Sequence, residues 1–184
     1  MSASAILSLA DAYEIQRLSI ERRIARGEPL VGLKPGFTST AKMLQMGVDD
    51  LIWAHLTDRM AMELIDSRFR SFEFNLADVI ADNCSSSGYV VGSWHKPDMD
   101  LTALSMRLEP EGVAVRDGSS GAILGNLLEL LLHAARFADS AGFGLEPGWI
   151  VLAGAATSDA TLRAGVRVRT VVERLGTVEP TVGV

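Results

Sequence analysis

Residues 32–48 read GLKPGFTSTAKMLQMGV, with one lysine, Lys34, held between Gly32 and Gly36 just ahead of a helix-like run. Two readings are open. Either the glycines mark a turn and Lys34 points into water, or they let the backbone pass close to a ligand while Lys34 carries a positive charge into a pocket. The apolar run 30–33 reads as a short strand leading into a glycine loop. Thr38 or Ser39 then caps a helix over 40–46 that Gly47 stops.

The rest of the chain narrows the choice. Its 184 residues suit one domain, 1–184, with a real hydrophobic core. Apolar residues make up 48% and charged residues 22%, which argues against wholesale disorder. A net charge of −6 speaks against nucleic acid as a main partner, since phosphate binding needs a basic surface. Small anionic substrates stay open, because one or two local cations suffice for them. Cys84 is the single cysteine, so no intrachain disulfide forms; with no signal-peptide pattern, this fits a reducing cytoplasm. The most apolar segment, 122–141, is broken by Asn126, Glu129, His133, Arg136 and Asp139, so no membrane span is expected.

The pattern over 8–26 predicts an amphipathic helix with Leu9, Tyr13, Ile20 and Ile24 near one face and Gly27 as its cap. Residues 69–74, FRSFEF, alternate like a half-buried strand. A short helix over 76–82, a loop over 83–87 and a buried strand over 88–92 follow. Residues 102–108 and 112–116 form a hairpin around EPEG. The long helix spans 122–141, with Leu124, Leu127, Leu128, Leu131, Ala135 and Ala138 on one face and Gly142 ending it. Strands at 149–153 and 166–172 complete a series without βαβ alternation, so the fold class is α+β with a largely antiparallel sheet.

Few residues carry an evident chemistry. His55, His95 and His133 stand apart, with no metal-ligand spacing, and Cys84 has no identifiable partner base. The informative carboxylates are Glu63 and Asp66 in AMELIDSR, since a glutamate in an apolar stretch is costly to bury unless paired or metal-bound. Glu109 and Glu111 form an E-x-E pair, but Pro110 and the hairpin tip make a solvated turn the expectation.

Taken in order, GLKPGFTSTAKMLQMGV, MELIDSR, IADNCSSSGYVVG, GAILGN, WIVLAGA and LGTV resemble the fumarylacetoacetate hydrolase superfamily. Within it they resemble the branch of 2-keto-4-pentenoate hydratases and 4-oxalocrotonate decarboxylases of meta-cleavage aromatic degradation. The resemblance implies a curved mixed β-roll with flanking helices, a helical region at 1–27 and a β-roll catalytic region at 28–184. It implies Mg²⁺ or Mn²⁺ and a 2-keto or 2-hydroxy dienoate substrate. Position by position, Glu63 is similar to a metal-binding glutamate, Lys34 to the active-site lysine, and Ser85, with Ser39, to substrate contacts. A hard cation polarising a 2-oxo group supplies the electron sink that decarboxylation needs.

Ile52 and Trp53 stand where the hydratases carry an acid, so the resemblance leans to decarboxylation of 4-oxalocrotonate to a 2-hydroxydienoate and CO₂. Hydration of 2-keto-4-pentenoate is the alternative. A homo-oligomer is implied, with a complex with the partner hydratase as a further implication. One departure is large: the family's segment between the counterparts of HLTDRM and AMELIDSR, with an H-P-x-x-E-x-E-like strand and two more metal glutamates, is missing where Met60 meets Ala61. Pro35 and Leu127 are smaller departures. Either this sequence leaves out a segment the chain carries, or the segment is deleted, which leaves Glu63 as the only recognisable metal ligand and points to weak metal binding or an assembly role. The well-kept flanks favour the first, which puts the Met60 and Ala61 Cα atoms farther apart than the ~3.8 Å of a bonded pair.

Overall fold

The computed structural model describes residues 7–36, 62–95 and 99–183, together with the backbone of 52–57. Met60, Ala61, Ser39 and the helix expected over 40–46 lie outside the described residues, so the expectations placed on them carry no structural outcome.

Helix α1, Leu9–Ala25, starts where Ser8 accepts a hydrogen bond from the Asp11 amide and ends ahead of Gly27, at φ +90°. Its inward face is the expected one only in part, at Ile20, which is buried, and Tyr13, which packs on the core. Ala12, Gln16 and Ile20, spaced i, i+4 and i+8, are buried, whereas Leu9 and Ile24 stay exposed. Close approach decides the face. Ala12 packs against Ala77, Val79 and Ile80 of a short helical segment and Cys84 of the turn after it, and Gln16 Nε2 donates to the Ile80 carbonyl at 3.0 Å. That segment is α2, Leu76–Ala81, closed at its start by a capping box between Asn75 and Asp78.

Strand β1, Leu30–Gly36, corrects the expected glycine loop: the GLKPG segment is itself strand, and buried from Gly32 onward. It pairs antiparallel with β2, Ile52–Thr57, and parallel with the two-residue Ile150–Val151, which is β7 in chain order. Gly32 is required because a Cβ there would stand 1.9 Å from the Ile150 carbonyl oxygen. Pro35 fits a strand for a related reason. Leu33 offers its carbonyl to the Leu152 amide on the β7 side, and Pro35, two residues on, faces the same way past the last residue of β7.

Strands β3, Glu63–Ile65, and β4, Ser86–Tyr89, form an antiparallel pair with Glu63 opposite Tyr89. The strand expected over 88–92 therefore starts earlier. The strand expected over 69–74 is absent: Arg70–Phe72 is a tight 3₁₀ turn with Ser71 and Phe72 at left-handed φ of 57° and 55°. Phe69 and Phe72 instead approach Phe74 at ring distances of 6.3 and 6.4 Å, so the alternating aromatics satisfy one another without a neighbouring strand.

The expected hairpin is present with later bounds, as β5, Ser105–Pro110, and β6, Arg116–Ser119. With β8, Val168–Val172, and β9, Gly176–Val178, it makes an antiparallel sheet of order β6-β5-β8-β9. Glu109 pairs with Arg169 at 2.9 Å and Arg107 at 3.2 Å, and the exposed Glu111 lies in the turn. Glu111 thus lies in a solvated turn as expected, whereas Glu109 belongs to the strand and is half-buried between arginines.

The last helix, α3, Leu127–Ser140, begins at the Asn126 cap, five residues later than expected, because Leu124 and Gly125 take left-handed φ just before it. Leu130, Ala134 and Ala138 are buried, the first two packing with Ile123, Val151 and Ala153, while Leu128, Leu131 and Leu132 are exposed. Of the expected face, Leu124, Leu127 and Ala138 do turn inward, while Leu128 and Leu131 do not. The run LLELLL offers two apolar stripes, and the one continued by small alanines can approach the sheet. Among the described residues no helix is long and apolar enough to cross a membrane.

Candidate active site

The open choice at Lys34 is resolved by its surroundings. Its side chain is only 9% exposed, and Nζ forms an ion pair with Glu63 Oε1 at the start of β3. The two meet as charges and not as an aligned hydrogen bond. Glu63 Oε1 is buried and accepts no hydrogen bond from any described residue. The Lys34 ammonium already stands against this oxygen, so a further donor or cation arriving here would share Glu63 with Lys34.

Beside this pair lies the turn Asn83–Ser85, whose three residues all take left-handed φ, at 51°, 52° and 55°. Such a run costs roughly 1–2 kcal/mol per non-glycine residue, so something must hold it. The Ser85 carbonyl accepts from the Asp66 amide at 2.9 Å, which ties the turn to the end of β3 and hence to Glu63. Ser85 is buried, and its hydroxyl donates to Asp82 Oδ2 at 2.9 Å. Cys84, in the middle of the turn, is buried as well. Burial pushes its thiol up to about 12; Lys34 pulls the other way, while Glu63 and Asp82 add to the rise. The thiol is thus close enough to feel the ion pair, yet far too weakly acidic to serve as a nucleophile.

The structure therefore brings Lys34 and Glu63 together and joins Ser85 to them through β3. Asp66, the other carboxylate singled out in the sequence, is exposed and contributes only its backbone. His95 Nε2 meets the Leu175 carbonyl at 2.9 Å on the surface. Sequence reasoning missed Asp82 and Arg68. The available signal was an aspartate ending an apolar helix directly before a run of small polar residues.

Among the described residues of this site, a hard divalent cation would find one carboxylate, Glu63, in competition with the Lys34 ammonium. Among the described residues no three His, Cys, Asp or Glu side chains gather as a metal site. Magnesium is commonly held by one or two carboxylates plus substrate oxygens, so the donor set fits a weakly held ion.

The profile of the Fumarylacetoacetate (FAA) hydrolase C-terminal family matches residues 60–183, and the chain belongs to that family. A 4-oxalocrotonate decarboxylase of Pseudomonas sp is 44% identical over 218 aligned positions, covering 92% of this chain and 85% of the relative. A 2-keto-4-pentenoate hydratase of Paraburkholderia phymatum is 30% identical, with 91% and 83% covered. The solved 4-oxalocrotonate decarboxylase of Pseudomonas putida G7, complexed with magnesium and adipate, superposes with a TM-score of 0.85 at 27% identity, covering 94% of this chain and 85% of that one. The mixed architecture of small sheets and helices is thus that of this family, as the resemblance implied. In the Pseudomonas sp alignment, 92% of 184 residues is about 170, so about fifty of the 218 positions face no residue of this chain.

Proposed function

We propose that this chain is a divalent-metal-dependent carbon–carbon lyase that decarboxylates 4-oxalocrotonate to a 2-hydroxydienoate and CO₂. One observation carries the reading: a buried lysine, Lys34, ion-paired with Glu63 through a buried carboxylate oxygen that accepts no hydrogen bond from the described residues. In the reaction the C–C bond pair released with CO₂ passes along the conjugated chain to the 2-oxo oxygen. Bound Mg²⁺ or Mn²⁺ would supply Lewis-acid stabilisation of that developing negative charge. Glu63 is the residue that would hold it. Lys34 faces the same charge with a desolvated ammonium group, where an ion-to-oxyanion hydrogen bond is strong, and it can deliver the proton that completes the hydroxyl. An anionic substrate competes with Glu63 for Lys34, so the resting ion pair keeps a costly buried charge neutralised until substrate arrives. Ser85 contacts substrate from the turn, and Ser39 is proposed as a second contact.

The neighbouring strand supports decarboxylation over hydration. Ile52 and Trp53, where an acid would serve hydration, stand in register opposite Gly36 and Pro35, beside the position opposite Lys34. The 30% identity to a hydratase keeps 2-keto-4-pentenoate hydration as the second reading.

The proposal treats 1–184 as one unit, which the packing of α1 on α2 supports, placed in the cytoplasm, where a single unpaired cysteine is at home. Self-association is part of it, since exposed Leu128, Leu131 and Leu132 form apolar surface of the kind oligomer contacts cover. A complex with the partner hydratase is the further expectation, and an assembly-only role is what remains if no turnover is found. The test is release of CO₂ from 4-oxalocrotonate with Mg²⁺, abolished by EDTA and restored by added metal. Water addition to the dienoate without CO₂ release would favour the hydratase. Neither activity, together with co-purification of a hydratase, would leave assembly alone.

A further inference from the structure

Asp82 has no assigned role, yet it is the most heavily solicited carboxylate among the described residues. Its side chain is 3% exposed and forms an ion pair with the Arg68 guanidinium through Oδ1. Its Oδ2 accepts from the Ser85 hydroxyl at 2.9 Å, and from the Ser67 hydroxyl and the Arg68 amide at 3.3 Å each. Its backbone carbonyl accepts from the Ser85 amide at 3.0 Å and also from Arg68. Four donors from three residues converge on the carboxylate, three on Oδ2 and one, the Arg68 guanidinium, on Oδ1, so Asp82 is committed to its protein neighbours. Every one of these bonds runs to the left-handed turn or to the segment just after β3.

We propose that Asp82 is a positioning residue: it clamps the left-handed turn Asn83–Ser85 against the end of β3, and by accepting the single proton of the Ser85 hydroxyl it sets Ser85 as an acceptor. The consequence is a polarity. A hydroxyl has one proton, and with it committed to Asp82 only lone pairs remain for whatever approaches. Ser85 then receives a hydrogen bond from a donor, such as an ammonium group or the hydroxyl of a 2-hydroxydienoate, and repels a bare carboxylate. The turn needs such a clamp because three successive left-handed residues without glycine do not persist unaided.

The sole cysteine reports on the clamp, since Cys84 is the central residue of the turn and is buried. The experiment measures the rate at which the native, full-length chain reacts with the thiol reagent DTNB at pH 8, alongside kcat and KM for CO₂ release, in wild type, Asp82→Asn, Ser85→Ala and the double variant. Thermal melting verifies that each is folded. In folded Asp82→Asn the thiol is expected to react about tenfold faster or more, as local opening exposes it. Turnover is expected to fall about 10–100-fold, chiefly in kcat. The double variant should lose little more than the worse single, because Asp82 acts through Ser85.

A thiol as protected in folded Asp82→Asn as in wild type would overturn the clamp. Unchanged kcat, or losses that simply multiply in the double variant, would overturn the positioning of Ser85. If Asp82→Asn does not fold, Ser85→Ala decides: a smaller rise in thiol rate with reduced kcat is expected, and wild-type values for both would sink the proposal. The activity measurements rest on the decarboxylase reading. An inactive wild type would defeat that reading alone, and the thiol rates would still judge the clamp.

Discussion

At the scale of single residues, the ion pair makes Lys34 and Glu63 unequal to ordinary surface charges. Lys34→Ala is expected to lower kcat by about 10²–10⁴-fold, the usual worth of a positioned proton-transfer group, as followed by CO₂ release. It also strands a buried carboxylate, costing about 1–3 kcal/mol in urea denaturation. A Lys34→Met/Glu63→Gln double variant should recover most of that stability and none of the activity, because a replaced pair leaves no charge stranded. Cys84 gives a pH signature. Its folded-state value near 12 lies above the ordinary 9.0, so the group's contribution is intact below pH 9. It is lost as pH rises from 9 towards 12, because the unfolded chain sheds the proton first. Stability should therefore drop by about 1.4 kcal/mol per pH unit above 9 relative to Cys84→Ala, read from urea melts of both proteins. Lys34 and Glu63 were singled out together in the sequence only through family resemblance, since nothing in their spacing announces that they meet as an ion pair. Asp82 was invisible because its work is to hold a backbone conformation, and serine-rich turns look alike in sequence whichever way φ is signed.

At the scale of elements, the lesson lies in which local patterns had competitors. The expected spans 8–26 and 76–82 lie within a residue of α1 and α2 at both ends, and Gly142 follows α3 as expected, because a helix end closed by a local cap or a glycine has few competitors. FRSFEF was not legible, because alternating aromatics serve equally to pair with a strand or to cluster on themselves. Nor was all of the buried face of α3, where LLELLL supplies apolar residues all round and tertiary contact with β7 chose the alanine stripe. Gly32 shows the opposite case, in which an element tolerates one residue only. Gly32→Ala must push β7 away from β1, and we expect a loss of about 1–3 kcal/mol in urea melts. A fall in turnover should come with it, since Lys34 follows two residues later on the displaced strand.

At the scale of the whole molecule, about fifty aligned positions of the relatives have no counterpart here, while the shared fold is retained with a TM-score of 0.85. Among the described residues no three metal-ligating side chains gather, and Glu63, the carboxylate assigned to the metal, is shared with Lys34. Half-maximal activation is accordingly expected only at millimolar Mg²⁺, and Glu63→Gln should raise that requirement about tenfold or more, as read from Mg²⁺ titration of the initial rate. An intact mass above 19.7 kDa would show that the chain carries the segment, and tighter metal activation should accompany it.

The parallel contact between Gly32 and Ile150 also has a meaning in time. The lysine-bearing strand leaves the ribosome early, but the strand that flanks it is made long afterwards, on the order of ten seconds at typical rates of synthesis. Until then β1 exposes the edge that β7 will cover. The newborn chain thus cannot become an active enzyme piecemeal, and a ribosome stalled before codon 150 would hold a lysine without its pocket.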